Sequence, residues 1–407
     1  MTSRRVFLKS GAMAMLSLGF APTFLARTAA AAGSRRKLLI AVFQRGAVDG
    51  LNMVVPYGEA DYYALRPSIA IPRPGTSDTT AIDLDGFFGL HPRMSALKPL
   101  WDDHALAIVH ACGSPDSTRS HFDAQDFMES ATPGVKATRD GWLNRYLQAS
   151  STDHNPLRGV ALTRQMPRSL QGAAPALAMG SVAEFAVRGD AGTQQSFEAA
   201  FASAADAVLN GTATEAFEAM RTLQKSPASM RTASTVTYPP SPFGQALQEV
   251  ARLAKADVGL EVAFAEATQW DHHANEGNVT GQIANRLDDF SRSLATLVAD
   301  LGDRMADTVI VTMSEFGRTV AENGNRGTDH GHGNAMFVIG GPVKGGHVYG
   351  RWPGLGASER HDGRDLAITT DFRAVFSEIV AGHMGATNEA IARIFPGFAR
   401  PGPLGLV

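Results

Sequence analysis

Long uncharged runs alternate with helix-compatible segments along this chain. The segments 37–43 (KLLIAVF) and 308–313 (TVIVTM) carry almost no polar groups, as expected of strands that are covered on both faces of a sheet. Other predicted strands cover 105–109, 158–163 and 260–265, and predicted helices cover 94–101 and 279–301. Because such alternation is typical of a parallel sheet, we predict an α/β fold in which a mostly parallel sheet is sandwiched by helices.

The segment 181–240 differs in composition from its surroundings. It is rich in Ala, Ser, Thr and Gln and ends in a proline cluster, and its stretches 195–208 and 214–223 are compatible with helices. No clear internal repeat or long low-complexity linker divides the chain. We therefore predict one α/β domain over residues 33–407, with this segment as a helical insertion over the sheet.

The N-terminus predicts export. Residues 3–9 (SRRVFLK) match the twin-arginine pattern, a weakly apolar run follows over 11–25, and 30–32 (AAA) offers a cleavage site. We expect residues 1–32 to be a signal peptide that the twin-arginine translocase recognises, and the product to be periplasmic or secreted. Since no run of 18 apolar residues follows, we expect no stable membrane anchor.

Charge and cysteine content exclude several classes of function. The chain has 37 basic and 40 acidic residues, and four of the basic residues lie in the predicted leader, which has no acidic residue. This balance argues against nucleic acid as a partner. The single cysteine, Cys112, excludes an intrachain disulfide and a cysteine-based zinc knuckle.

Acidic and imidazole side chains follow several of the predicted strands. The candidates lie at Asp49, at 117–123, at 271–275, at Glu315 and at 329–332. Because the carboxyl ends of parallel strands share one edge of a sheet, these groups could meet in one pocket. A carboxylate at a strand end, together with an Asp-His-Gly-His turn, is typical of a metal or acid/base site.

The same groups supply a predicted set of metal ligands. In an extended segment Asp271 and His273 point to one side, whereas His272 points away as a supporting or surface group. Asp49 has an alternative as an Asx-turn residue. Of His330 and His332, one would bind the metal and the other would act on the substrate, and we assign His330 to catalysis. The predicted ligands are Asp49, Asp271, His273, Glu315 and His332, and the metal is a divalent ion (zinc, manganese, iron or calcium).

A candidate nucleophile precedes a predicted helix. Ser120 stands before HFDAQDFMES, where backbone N–H groups and the helix dipole favour an anion. Ser117, Thr118 and His121 compete for this role. Ser120 and Asp123 also form a capping-box pattern, which is the structural alternative.

Six segments together point to a known family. They are DGLNMVVPY (49–57), SHFDAQDFME (120–129), QWDHHANEG (269–277), SEFGRT (314–319), GTDHGHGN (327–334) and TTDFRAVFSEIV (369–380). This combination resembles the bacterial domain of unknown function 1501 family, exported proteins that typically carry a twin-arginine leader. The resemblance covers essentially the whole mature chain.

A more distant resemblance concerns the order of the candidate residues. Asp49, Ser120, Asp271 with His273, Glu315 and then His330 or His332 stand in an order similar to that of the alkaline phosphatase and sulfatase superfamily. The resemblance implies an alkaline-phosphatase-like fold. Two departures matter: Glu315-Phe316 replaces Asp-His, which removes an imidazole, and Cys112 lacks a formylglycine context.

These observations predict an exported metal-dependent hydrolase of phosphate or sulfate esters, with a small molecule or a glycan ester as substrate. Arg318 is a candidate for binding the substrate anion, and a surface salt bridge is its alternative. The alternative function is a non-catalytic periplasmic binding or assembly protein on the same fold, which Phe316 in place of an imidazole favours.

Overall fold

A computed structural model of the chain describes residues 36–150, 155–182 and 236–407. The predicted signal peptide and most of the predicted helical insertion, including 195–208 and 214–223, lie outside the described residues. The described part from Leu38 onward belongs to one compact unit. In this part of the chain no helix is long and apolar enough to cross a membrane.

The described strands form two sheets. They are β1 (Leu38–Gln44), β2 (Val54–Val55), β3 (Ile82–Asp83), β4 (Gly89–Leu90), β5 (Leu106–Gly113), β6 (Gly159–Ala161), β7 (Leu177–Ala178), β8 (Val262–Ala267), β9 (Thr308–Met313), β10 (Asn334–Gly340), β11 (Val348–Tyr349) and β12 (Thr370–Asp371). The large sheet has the order β11-β5-β10-β9-β1-β8-β6-β7, and β12 also pairs with β5. Strands β2, β4 and β3 form a small antiparallel sheet.

The described helices surround the large sheet. They are α1 (Gly50–Met53), α2 (Ala60–Leu65), α3 (Lys98–Asp102), α4 (His121–Ser130), α5 (Trp142–Ser150), α6 (Pro242–Lys255), α7 (Gln282–Leu301), α8 (Phe372–Glu378) and α9 (Asn388–Ile394). Short 3₁₀ turns cover Pro92–Leu97, Pro156–Arg158, Arg168–Leu170 and Gly302–Asp307, and a π turn covers Ile379–His383.

Alternate side chains of β1 enter two separate cores. Leu38, Ile40 and Val42 pack in the core that α6 and α7 cover, whereas Leu39 and Phe43 pack in the core that contains residues of α5, α8 and α9. Successive side chains of a strand point to opposite faces, so a strand buried on both sides must be apolar throughout. The α/β prediction of a mostly parallel sheet sandwiched by helices is therefore confirmed.

The sheet departs from the predicted pattern at β10. This strand pairs antiparallel with both β5 and β9, while the pairs of β1 with β8 and β9 are parallel. Its residues, NAMFVIG, are all buried, and they were not predicted as a strand. The loop from β9 to β10 therefore starts and ends at the same edge of the sheet, and it carries Glu315 and His330 there.

A buried charge network fixes the loops beside this edge. The guanidinium of Arg66 pairs with both carboxylate oxygens of Asp49 and donates to the backbone carbonyls of Thr319 and Val320. Asp49 also caps α1 by accepting from the Leu51 N–H group. Because both charged groups are buried and mutually satisfied, removal of either one would leave an unpaired charge in the interior.

Glu276 lies next to this network and forms no ion pair with any residue that the structure describes. It is fully buried and accepts a hydrogen bond of 2.9 Å from the Thr328 hydroxyl. Burial, followed by the nearby carboxylate of Asp49, raises the pKa of Glu276 well above its ordinary value. The folded chain thus retains a proton that the unfolded chain releases above the ordinary glutamate pKa, and the free energy of unfolding falls as pH rises through that window.

We predict that Glu276→Gln flattens this pH dependence. The wild-type chain should lose up to about 1.4 kcal/mol of stability per pH unit above the ordinary glutamate pKa, because that is the cost of one proton difference. The variant should lose less, and denaturant unfolding between about pH 5 and pH 8 measures the difference. Glu389→Gln, at an exposed position of α9, is the matched control. Equal slopes for Glu276→Gln and the wild-type chain would contradict the assignment.

Candidate metal centre

Four polar side chains converge at the carboxyl edge of the large sheet. His121 is the first residue of α4, which follows β5. Asp271 and His273 lie in the loop after β8, and His330 lies in the loop between β9 and β10. Parallel strands deliver their following loops to the same edge, which explains why residues so distant in sequence meet here.

The four side chains bring their donor atoms close to one another. Nε2 of His330 lies 3.0 Å from Nε2 of His121 and 2.9 Å from Nε2 of His273. Oδ1 of Asp271 lies 3.0, 3.4 and 3.5 Å from Nε2 of His273, His330 and His121, respectively. Ligand atoms around a tetrahedral zinc ion with bonds of about 2.0–2.1 Å are about 3.3 Å apart. The separations among His121, Asp271 and His330 therefore fit three ligands of one divalent cation, and His273 lies beside His330 and Asp271.

The opposite nitrogen of each imidazole fixes its tautomer. Nδ1 of His121 lies 2.8 Å from a carboxylate oxygen of Glu315, and Nδ1 of His330 lies 2.8 Å from the backbone carbonyl of Arg119. Nδ1 of His273 lies 3.2 Å from a carboxylate oxygen of Asp329. A carbonyl or an ionised carboxylate accepts hydrogen bonds and cannot donate them, so each Nδ1 carries the proton. In its neutral form each ring then directs its Nε2 lone pair towards the neighbouring donor atoms, as in metal sites that orient histidines through a carboxylate or a carbonyl.

Glu315 is a fully buried carboxylate with several donors. Besides the His121 ring, it accepts hydrogen bonds from the Gln125 amide at 2.9 Å and the Gly46 N–H group at 2.8 Å. Burial opposes ionisation, but the hydrogen bonds from His121 and Gln125 hold the pKa of Glu315 below its ordinary value. The hydrogen bond with Glu315 also raises the pKa of His121. Glu315, which we predicted as a direct ligand, lies behind His121 and orients that ring.

Gly46 brings the loop after β1 against the loop that carries Asp271. Its φ of +111° lies in a region that side chains rarely adopt, and a Cβ atom at this position would lie 2.9 Å from the backbone nitrogens of Trp270 and Asp271. Only glycine permits this approach. The hydrogen bond from Gly46 to Glu315 depends on it.

Arg318 connects the loops around the centre. Its guanidinium donates to the backbone carbonyls of Gly46, Ala47, Trp270 and Thr328 and lies 2.7 Å from Oδ1 of Asp271. Partial burial opposes ionisation of Asp271, but the hydrogen bond and charge of Arg318 hold its pKa below the ordinary value. Arg318 is only 1% exposed, which differs from the mobile, substrate-binding cation that we expected. Its bonds to four carbonyls fix it in the interior.

Phe316 packs against the imidazoles of the centre. Its ring centroid lies 4.9 Å from that of His121 and 5.0 Å from that of His330. The residue that removes an imidazole from the phosphatase-like pattern is therefore a packing surface for two others. An apolar neighbour of this kind restricts ring rotation and keeps the Nε2 atoms directed at the centre.

The centre is open to solvent on one side. The side chains of Asp271 and His273 are each 45% exposed, whereas those of His121 and His330 are about half as exposed. Burial lowers the pKa of His330. A small molecule can therefore approach the site from the side of Asp271 and His273.

Two of the predicted ligands lie elsewhere. Asp49 forms the buried pair with Arg66, and among the described residues the group that could hold a metal consists of His121, Asp271 and His330. His332 stacks on His361 with ring centroids 4.2 Å apart. Burial, followed by the charge of His361, lowers the pKa of His332 to about 4. The alternation expected of an extended segment did not hold for His332, because the chain bends at this residue.

The predicted nucleophile occupies a capping position. Ser120 precedes α4, and its hydroxyl accepts a hydrogen bond of 3.5 Å from the Asp123 N–H group. The Thr118 hydroxyl accepts from the Ser120 N–H group at 3.3 Å, and Ser117 is exposed. Ser120 therefore caps α4, as in the structural alternative, and the next residue, His121, contributes to the centre.

Three contributions to the centre were not predicted from the sequence. His121 was considered only as a competing nucleophile, and Asp329 received no role although it orients His273. The backbone carbonyl of Arg119 carries no sequence signal, because every residue has one. His121 follows a predicted strand in a loop with other polar residues, a signal that could have placed it among the ligands.

Comparisons with known proteins give a family and two distant structural neighbours. The C-terminal periplasmic domain of EcEptC from Escherichia coli, in complex with Zn, has a TM-score of 0.36 and 10% identity over 76% of this chain and 73% of that chain. The PsFucS1 sulfatase from Pseudoalteromonas sp. has a TM-score of 0.35 and 9% identity over 96% of this chain and 73% of that chain. At such TM-scores, no argument about function rests on them.

The sequence comparisons are more specific. A search of curated proteins gives no match. The family described as "Protein of unknown function (DUF1501)" matches residues 36–394, which cover the large sheet and every residue of the centre. The chain belongs to this family.

Proposed function

We propose that the protein binds one divalent metal ion through His121, Asp271 and His330, that the neighbouring His273 joins them as a fourth ligand when the metal is bound, and that the protein hydrolyses phosphate or sulfate esters. The observation that carries the proposal is the group of His121, Asp271 and His330, whose donor atoms lie 3.0–3.5 Å apart, with Nε2 of His273 2.9 Å from that of His330. Neutral imidazoles with protonated Nδ1 atoms cannot bond to one another through Nε2. A cation at the centre turns this mutual repulsion into attraction.

The donor set suits particular metals. Imidazole nitrogens suit zinc, iron, copper and nickel, whereas calcium prefers six to eight oxygen ligands. Three nitrogens and one oxygen therefore favour zinc or iron and disfavour calcium among the ions that we expected. A divalent ion at such a site lowers the pKa of water and polarises an ester oxygen.

The residues of the chain have separate tasks in this proposal. Glu315, Asp329 and the Arg119 carbonyl keep the Nδ1 protons in place, and Arg318 holds Asp271 ionised. The open side beside Asp271 and His273 admits the ester. Because Ser120 is a helix cap, we assign the attack to water, which forms the new bond to phosphorus or sulfur while the ester oxygen leaves with a proton.

The site of action belongs to the same proposal. The SRRVFLK motif and the small-residue stretch that follows support export by the twin-arginine translocase to the periplasm or beyond. That pathway carries folded proteins, so a metal bound in the cytoplasm could travel with the protein. The substrate would then be an ester available outside the cytoplasm, either a small molecule or part of a glycan.

One observation favours a non-catalytic alternative. Phe316 stands where the phosphatase-like pattern has an imidazole, and the Ser120 hydroxyl is engaged as a cap. A protein that binds a metal and a ligand without turnover would satisfy the same geometry. Turnover separates the two functions.

We predict metal-dependent hydrolysis of an aryl phosphate or an aryl sulfate by the purified full chain. His330→Ala removes a metal ligand. It should therefore lower the rate by more than about 10–100-fold, which is the usual effect of changing a residue that only orients a ligand. His347→Ala, at an exposed histidine outside the centre, should leave the rate unchanged. Stoichiometric metal without turnover on either ester would support the binding protein and overturn the hydrolase.

We also predict that Glu315→Gln weakens metal binding by about 10–100-fold, because the neutral amide orients the His121 ring less firmly. Competition with a chelator measures the affinity, and denaturant unfolding of the metal-free chain reports any structural damage. Glu322→Gln is an isosteric control at a carboxylate that binds Ser68 and Ile69. Unchanged affinity in Glu315→Gln would show that this carboxylate does not tune the centre.

A further inference from the structure

A cavity of about 660 Å³ opens beside the metal centre. It lies at the carboxyl ends of β6 and β8, and Gln269 and Trp270, which directly precede Asp271, contribute to its wall. Cavities of about 300–1,000 Å³ hold small-molecule ligands. The space is therefore large enough for a sugar-sized molecule.

A second cavity lies between this space and Asp271. It has a volume of about 500 Å³ and includes Asp271 in its lining. Gln269 and Arg286 line both cavities. Arg286 therefore lies between the larger cavity and the part of the second cavity that Asp271 lines.

Arginine dominates the charged groups of the larger cavity. Its lining contains Arg45, Arg164, Arg168 and Arg286, against Glu266 and Asp289. Arg45 is paired with Glu129 and Glu266, and Arg168 lies 3.3 Å from Asp126. Two guanidinium groups remain for a ligand.

Arg164 and Arg286 have no carboxylate partner among the residues that the structure describes. Arg164 is exposed, and the guanidinium of Arg286 donates to the side-chain oxygen of Gln269, a neutral amide. Gln269 itself has a φ of +72°, which is uncommon for a residue other than glycine and holds its side chain in the shared wall of the two cavities. An arginine held by a neutral partner retains its full charge for an incoming anion.

We infer that the substrate carries a second anionic group besides the ester that reacts. Arg286, assisted by Arg164, binds this group in the larger cavity while the ester lies at the metal centre. The inference rests on the proposed function, which it deepens by naming the substrate class: a doubly anionic phosphate or sulfate ester of about the size of a sugar.

The test compares three probes of graded charge. Glucose 1,6-bisphosphate, glucose 1-phosphate and glucose are titrated calorimetrically into the full chain, first with metal bound and then after its removal. In the metal-loaded protein the bisphosphate should bind at least about tenfold more tightly than the monophosphate, as one added charge-assisted contact implies. Glucose 6-sulfate in place of the monophosphate shows whether a sulfate ester binds as well.

Substitutions assign the preference to the cavity. Arg286→Gln should weaken binding of the bisphosphate by about tenfold and change binding of the monophosphate less than about twofold. Arg292→Gln is the matched control, because Arg292 is an exposed residue of the same helix that pairs with Asp288 and lies outside both cavities. Arg164→Gln should also weaken binding of the bisphosphate.

The outcomes separate this inference from the hydrolase proposal. If Arg286→Gln binds the bisphosphate as tightly as the wild-type chain, or if the bisphosphate does not bind the metal-loaded protein, the inference is overturned even where esters are hydrolysed. If the metal-free chain still binds the bisphosphate in an Arg286-dependent way while no ester is hydrolysed, the anion site stands and the hydrolase proposal fails.

Discussion

The centre depends on the placement of three protons. Each imidazole donates its Nδ1 proton to an acceptor that cannot return one, so the Nε2 lone pairs of His121, His273 and His330 must face one another. Nitrogen lone pairs and a carboxylate this close repel one another unless a proton or a cation lies between them. The hydrogen bonds behind each ring restrict its orientation, and the proposed metal would occupy this position.

The sheet supplies this rigidity. Strands β1, β5, β8 and β9 run parallel, and the loops that follow them meet at one edge. The guanidinium of Arg318 then connects three of these loops through the backbone carbonyls of Gly46, Ala47, Trp270 and Thr328. The buried pair of Asp49 and Arg66 does the same on the neighbouring side. Asp49 and Arg318, which we predicted to bind the metal and the substrate, thus fix the loops that carry the centre.

Much of the framework follows from the sequence. Strand β9 has the predicted bounds, and β1 and β5 are displaced by one residue or extended, because a strand buried on both faces is uniformly apolar. Strand β10 was not predicted, although it is equally buried. Its antiparallel orientation was not accessible either, since an apolar run does not reveal the direction of a strand. The helix predicted over 279–301 begins at Gln282, because the positive φ of Gly281 interrupts it.

The centre was predictable only in part. Asp271 and His273 were paired by the alternation of an extended segment, and the structure brings these two together with His330. The roles of Asp49 and Arg318 were not accessible, because the sequence does not show that a distant Arg66 or four backbone carbonyls surround them. His121, which we considered only as a nucleophile, lies in the centre because α4 follows β5 to the same edge of the sheet as Asp271 and His330.

X-ray absorption spectroscopy of the purified full chain tests the central claim most directly. We predict one bound divalent metal with about three imidazole nitrogens and one carboxylate oxygen at about 2.0–2.2 Å, and a water molecule can be a further ligand. His273→Ala should remove one imidazole from the spectrum, and His361→Ala should leave it unchanged. A folded protein that holds no metal and takes up none, or one whose metal lacks imidazole ligands, would contradict the account.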